Sequence, residues 1–182
     1  MDFIEDELDK RILHIIMDGV EIGRVLKIFY KNLFLLKKAK TVEEARQLFY
    51  ELELKRMKAY GLRLLSKSNY HSSVFKKKLE EKLVSKKVLS EILKEFSKYF
   101  DDEYWLEKKI KEEFAKGFGP KAIIFKLRSK NIFLEDIKII SDDMQREKIN
   151  EILNKRFAGK MDKKSASFFI RRGFDYSLVI SI

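Results

Sequence analysis

Three segments of this chain superimpose on one another, and that constrains its fold more than any single motif. Leu79, Leu127 and Phe169 align, as do Lys82, Lys130 and Arg172, and as do Val84, Ile132 and Phe174. The spacings fall in the range of helical repeats, whose units bury their apolar faces only by stacking. Each block reads as a long helix, a short basic helix and a closing helix. The middle block shows it best. Asp101 and Asp102 suit a helix start, because carboxylates accept free N–H groups and meet the positive end of the dipole. Leu106, Ile110 and Phe114 then recur every four residues as one apolar stripe. Gly117 suits a left-handed closure, and Pro120 after Gly119 suits the first turn of the next helix.

The first and third blocks follow the same plan. In the first, Phe75, Leu79 and Leu83 lead to Ser85 and a closing helix with Leu89, Ile92, Leu93 and Phe96. In the third, Phe169 leads to Gly173, Asp175 and a closing helix with Leu178 and Val179. The middle block predicts a closing helix carrying Ile137 and Ile140, although Phe133 stands where the others have the capping residues Ser85 and Asp175. His71 stands where the middle block has Gly119, and no glycine ends the first basic helix near Val84.

Upstream, Thr41 and Glu44 spell a capping box for a helix reaching about Ser66. Gly61 weakens that pattern and suggests a break into two helices. Residues 11–36 differ. Ile12–Met17 is β-rich and stops at Asp18–Gly19, a two-residue hairpin signal, with Val20, Ile22 and Val25 on the far side. A short helix from Leu26 to Leu36 follows. The expected architecture is mostly α: tandem three-helix repeats stacked in a curved elongated rod, with a small N-terminal β-hairpin element. The parts are residues 1–40, 41–98 with a long lead-in helix, 99–141 and 142–182.

Charge repeats with the pattern. Residues 1–55 have a net charge of −1, and residues 56–182 a net charge of +12. Residues 71–87, 119–131 and 160–174 each carry +4. One basic helix is ordinarily a solvated face. Three at equivalent positions form a stripe suited to an anionic partner. The candidate contact residues are Lys76, Lys77 and Lys82, then Lys121, Lys126, Arg128 and Lys130, then Lys163, Lys164, Arg171 and Arg172.

The chain has no cysteine, so disulfides, thiol nucleophiles and cysteine metal sites are excluded. Its acidic first residues do not read as a signal peptide, and no apolar run approaches the ~20 residues of a membrane span. A cytoplasmic protein is expected. His14 and His71 have no second histidine nearby, no glycine-rich phosphate loop is present, and no nucleophile, base and orienter come together. The chain reads as a non-enzyme without cofactor or metal.

Several of these segments carry a resemblance. Tyr99-Phe100-Asp101-Asp102 with Lys116-Gly117-Phe118-Gly119-Pro120, preceded by Ala59 and Leu64-Leu65-Ser66 and followed by Ile170-Arg171-Arg172-Gly173-Phe174, resembles the RecX family of recombinase regulators. It extends to Asp18–Gly19, where longer members carry an N-terminal β-element. The resemblance implies a protein of homologous recombination, DNA repair and the SOS response. Such a protein binds the RecA filament in its groove, blocks ATPase and strand exchange, and promotes disassembly. It further implies contact with single-stranded DNA, with double-stranded DNA as a second candidate. A monomer is the expected working form. The other reading of the residues is a general nucleic-acid-binding helical module acting through phosphate contacts, hence strongly salt-dependent.

Overall fold

The computed structural model describes residues 1–30 and 33–182. The protein is mostly helical with a small N-terminal antiparallel sheet. It divides into two compact units, Met1–Phe100 and Asp101–Ile182.

The first unit opens with three strands, β1 (Asp2–Glu5), β2 (Ile12–Met17) and β3 (Val20–Leu26), in that order. Asp18 and Gly19 have φ of 52° and 77°, the two positive values that a two-residue hairpin of this hand demands. The first strand was not expected, since its acidic ends do not look like a strand. Asp6 holds the loop after it, accepting from the N–H groups of Leu8 and Asp9 at 2.9 and 2.8 Å. His14 on β2 bridges Asp6 at 2.9 Å and Glu21 at 2.8 Å.

The helix expected from Leu26 to Leu36 does not form as such. Residues 27–29 turn, Leu33–Lys38 form a 3-10 helix, and Lys31 and Asn32 lie outside the described residues. Helix α1 (Val42–Leu65) then runs for 24 residues. Thr41 Oγ1 accepts from the Glu44 N–H, and the Glu44 carboxylate accepts from the Lys40 N–H, one residue before the usual capping-box partner. Gly61 does not break the helix. It is buried, and a Cβ there would lie 2.4 Å from the Phe96 ring, so glycine is the residue that lets Phe96 approach.

Helix α2 (Ser72–Glu80) is capped by His71, whose Nδ1 accepts from the Ser73 N–H at 3.1 Å. Helix α3 (Lys86–Phe96) starts at Ser85, whose N–H and hydroxyl both donate to the buried Glu53 of α1. Met57, Phe75, Leu79, Ile92 and Phe96 fill the core beneath. Each such side chain contributes about 1.5–3 kcal/mol on burial.

The second unit holds α4 (Asp102–Ala115), α5 (Pro120–Arg128), α6 (Asp142–Phe157), α7 (Lys163–Arg171) and α8 (Tyr176–Ile180). Asp101 caps α4 through the Tyr104 N–H at 3.0 Å. Gly117, at φ 83°, closes it, with Phe118 N–H donating back to the Glu113 carbonyl. Asp162 and Ser165 form a reciprocal capping box on α7. Ile149, Leu153, Phe169, Phe174 and Val179 form a core. The closing helix expected around Ile137 and Ile140 is absent, although both side chains are buried. The apolar spacing marked burial correctly, but the segment 129–141 reaches it by turns.

Candidate functional site

Helices α5 and α7 expose equivalent faces. On α5 that face is Lys121, Phe125, Arg128 and Ser129; on α7 it is Lys163, Ser167, Ile170 and Arg171, with Lys164 beside them. Neither face carries an acid. Phe125 stands 75% exposed among these cations. The first basic helix differs. Lys76 and Lys77 are exposed on α2, but so are Glu80 and Glu81, and Lys76 lies 3.8 Å from Glu80. Lys82 is drawn over the Tyr60 ring. The sequence count of +4 in that block therefore overstates the cationic face of α2 itself.

The two basic helices of the second unit are joined through backbone. The Gly119 N–H donates to the Arg172 carbonyl at 2.8 Å and the Lys121 N–H to the Gly173 carbonyl at 3.1 Å. The C-terminal carbonyls of α7 thus satisfy free N–H groups at the start of α5, where the helix has no side-chain cap. Neither glycine leaves room for a side chain. A Cβ on Gly119 would lie 2.4 Å from the Phe174 nitrogen, and one on Gly173 would lie 2.3 Å from the Ala122 nitrogen. Lys121 reaches Asp175 at 3.1 Å across the same junction. The Asp175 carboxyl is held below its usual range by the Ser177 hydroxyl and then by Lys121.

Around this junction cations and rings alternate. Lys126 Nζ lies 2.9 Å from the Phe118 ring centre, and Arg172 lies on Phe118 at 4.5 Å. Arg172 also lies on Phe168 at 5.1 Å, and Arg156 on Phe168 at 5.7 Å. The order is Lys126, Phe118, Arg172, Phe168, Arg156, drawn from α5, the α4–α5 turn, the end of α7, its body and α6. Each pair gains from the ring quadrupole, about 0.5–1 kcal/mol where exposed. Beneath it, buried Glu113 receives Lys126 at 2.6 Å, Lys116 at 2.8 Å and Lys109 at 3.4 Å. Hydrogen bonds from Lys116 and Lys126 hold its carboxyl at about 2.

The eleven expected contact residues therefore separate. Lys121, Lys126 and Arg172 are engaged within the unit, and Arg171 donates to the Ser167 carbonyl. Among the described residues, Arg128, Lys130 and Lys163 carry no salt bridge. Sequence reasoning missed Lys116, Phe118, Arg156 and Phe168. The spacing of Phe168 and Arg172, four apart on a helix face, was the one available signal. Among the described residues, no group of three or more His, Asp or Glu side chains could hold a metal ion, and no helix is long and apolar enough to cross a membrane.

No protein-family model matches the chain, and no curated protein sequence does either. Solved structures do. Regulatory protein RecX matches with a TM-score of 0.59 at 17% identity, over 97% of this chain and 94% of that one. RecX from Lactobacillus salivarius matches with a TM-score of 0.59 at 20% identity, over 71% of this chain and 93% of that one. The chain shares their fold.

Proposed function

We propose that this chain is a RecX-type regulator of the RecA recombinase, acting on the RecA–single-stranded DNA filament without catalysis of its own. It works as a cytoplasmic monomer that lies in the filament groove and blocks ATP hydrolysis and strand exchange or promotes disassembly. The fold shared with solved RecX proteins supports the reading, as do the residue segments quoted above. The observation that carries it is the pair of equivalent basic faces on α5 and α7, helices that hold no acid within their own spans and are fixed to each other at Gly119 and Gly173. Two cationic faces held in one register suit a repeating polyanion or a run of acidic subunit surfaces.

The test is a titration of DNA-dependent ATP hydrolysis by RecA. Inhibition well below one molecule per RecA subunit is expected. Inhibition only at amounts that coat the DNA would favour the plain nucleic-acid-binding module. The variant to compare is Arg128→Glu with Lys163→Glu and Lys164→Glu. Charge reversal at Lys126 would instead set a second carboxylate beside buried Glu113 and test folding. The triple variant should need at least ~10-fold more protein for the same inhibition, with its helical signal intact, consistent with loss of three charge contacts. Unchanged inhibition would remove these faces from the mechanism.

A further inference from the structure

The end of α4, one side of α6 and the last turn of α7 enclose a cleft of about 160 Å³. Five cations line it, Lys116, Lys148, Lys155, Arg156 and Arg172, against one carboxylate, Glu151. That carboxylate is already shared by Lys148 at 2.7 Å and Lys155 at 2.6 Å, whose hydrogen bonds hold it at about 2. Lys116 is given to Glu113. Among the described residues, no carboxylate forms a salt bridge with Arg156 or Arg172.

Both guanidiniums lie on the Phe168 ring. A ring contact supplies no lone pair, so guanidinium N–H groups not turned toward it remain for a ligand. Arg172 donates once, to the Lys116 carbonyl at 3.2 Å, and has further N–H groups to offer. Lys116, Lys148 and Lys155 are answered by Glu113 and Glu151, so Arg156 and Arg172 carry the cleft's unmatched charge, and a phosphate matches their forked N–H geometry. The cleft is smaller than the roughly 300–1,000 Å³ of pockets that bury a whole small molecule. It fits a phosphate group whose remainder lies outside, as in a polynucleotide backbone.

We propose that this cleft seats a backbone phosphate of a nucleic-acid strand, with Arg156 and Arg172 as the binding pair. The seat is separate from the exposed faces of α5 and α7 and stands whether or not the protein acts on a recombinase. The experiment measures anisotropy of a fluorescein-labelled oligothymidylate with the full chain over a salt series. The proteins are wild type, Arg156→Gln, Arg172→Lys, and Lys138→Gln as an exposed control outside the cleft and the basic faces.

Arg156→Gln should weaken binding roughly tenfold and lower the slope of log affinity against log salt by about 0.7, the loss of one single-strand phosphate contact. Arg172→Lys keeps the charge but not the forked N–H pair, and should weaken binding severalfold, with the helical signal at the assay temperature showing that the chain is still folded. Millimolar inorganic pyrophosphate should compete with the oligonucleotide on wild type and compete less well on Arg156→Gln. Wild-type affinity and slope in both cleft variants would overturn the proposal. So would pyrophosphate binding that Arg156→Gln abolishes while oligonucleotide affinity stays unchanged, since the seat would then serve free phosphates. A failure of RecA inhibition would leave these outcomes readable, because no recombinase is in the assay.

Discussion

Replacing Gly173 with alanine should damage the second unit out of proportion to one methyl group. Gly173 has φ 80°, where a β-carbon costs about 1–2 kcal/mol. The new atom would also sit 2.3 Å from the Ala122 nitrogen, 2.7 Å from its Cβ and 2.9 Å from its Cα. Two of those are backbone atoms of α5, which cannot swing aside like a side chain. Relief requires α5 and the α7 turn to separate, at about 1–3 kcal/mol for overpacking. Separation also stretches the Lys121 N–H bond to the Gly173 carbonyl, a further ~0.5–1.5 kcal/mol. The sum is roughly 2.5–6.5 kcal/mol, against about 4–12 kcal/mol of total stability for a unit of this size. Asn131 supplies the control. It occupies the equivalent position at φ 61° with an exposed side chain, so Asn131→Ala costs only the backbone term, about 1 kcal/mol. Urea unfolding of the full chain measures the loss, and hydrogen exchange by mass spectrometry localises it to residues 101–182. If Gly173→Ala proved no more destabilising than Asn131→Ala, close approach at this junction would not be what requires glycine.

Gly61→Ala gains up to about 1 kcal/mol of helix propensity, but its Cβ would meet the Phe96 ring at 2.4 Å. A net loss of roughly 1–2 kcal/mol in urea unfolding is expected, and a net gain would refute the packing account. Glu113 titrates at about 2 in the folded chain against 4.5 when free, so its contribution is complete above pH 4.5 and is lost as pH falls toward 2. Glu113→Gln should flatten the thermal midpoint over that window, and an unchanged acid limb would count against the lysine cluster. His14 behaves oppositely. Hydrogen bonds to Asp6 and then Glu21 raise it above 6.5, so its contribution is complete below pH 6.5 and is lost as pH rises through the folded value. NMR titration of His14 should report a raised midpoint that returns toward 6.5 in Asp6→Asn.

Local chemistry was legible where a residue acts on its own backbone. The hairpin at Asp18–Gly19, the Asp101 cap, the left-handed Gly117 and Pro120 at the first turn of α5 all follow from single residues. The missing glycine after the first basic helix looked like a departure. Yet Leu83 takes φ 60°, matching Asn131 and Gly173 at 61° and 80°. Three repeats bend the chain alike at one position, with and without glycine, so tertiary packing imposes the turn there. The site resisted sequence reading because its parts come from four segments. A lysine count cannot tell Lys126, committed to Glu113 and Phe118, from Arg128, which carries no salt bridge among the described residues.

The absent closing helix of the middle repeat shows which signal outranks apolar spacing. In the first repeat Ser85 begins that helix, and its backbone N–H donates to buried Glu53 at 2.7 Å. In the third, Asp175 begins it, and its N–H donates to buried Gln145 at 3.4 Å. Each short helix thus starts on a residue with a capping side chain, whose own N–H is satisfied from the long helix of its repeat. Burial presses the Glu53 carboxyl above its usual range, with the Ser85 hydrogen bonds opposing the shift, so the anchor carries a desolvation cost. Phe133 holds the equivalent position in the middle repeat, 75% exposed and without a side-chain acceptor. A helix of one or two turns has little propagation to offset its nucleation. Without the cap, Ile137 and Ile140 reach the core through turns, and the periodicity that predicted a helix records only that both side chains had to be buried.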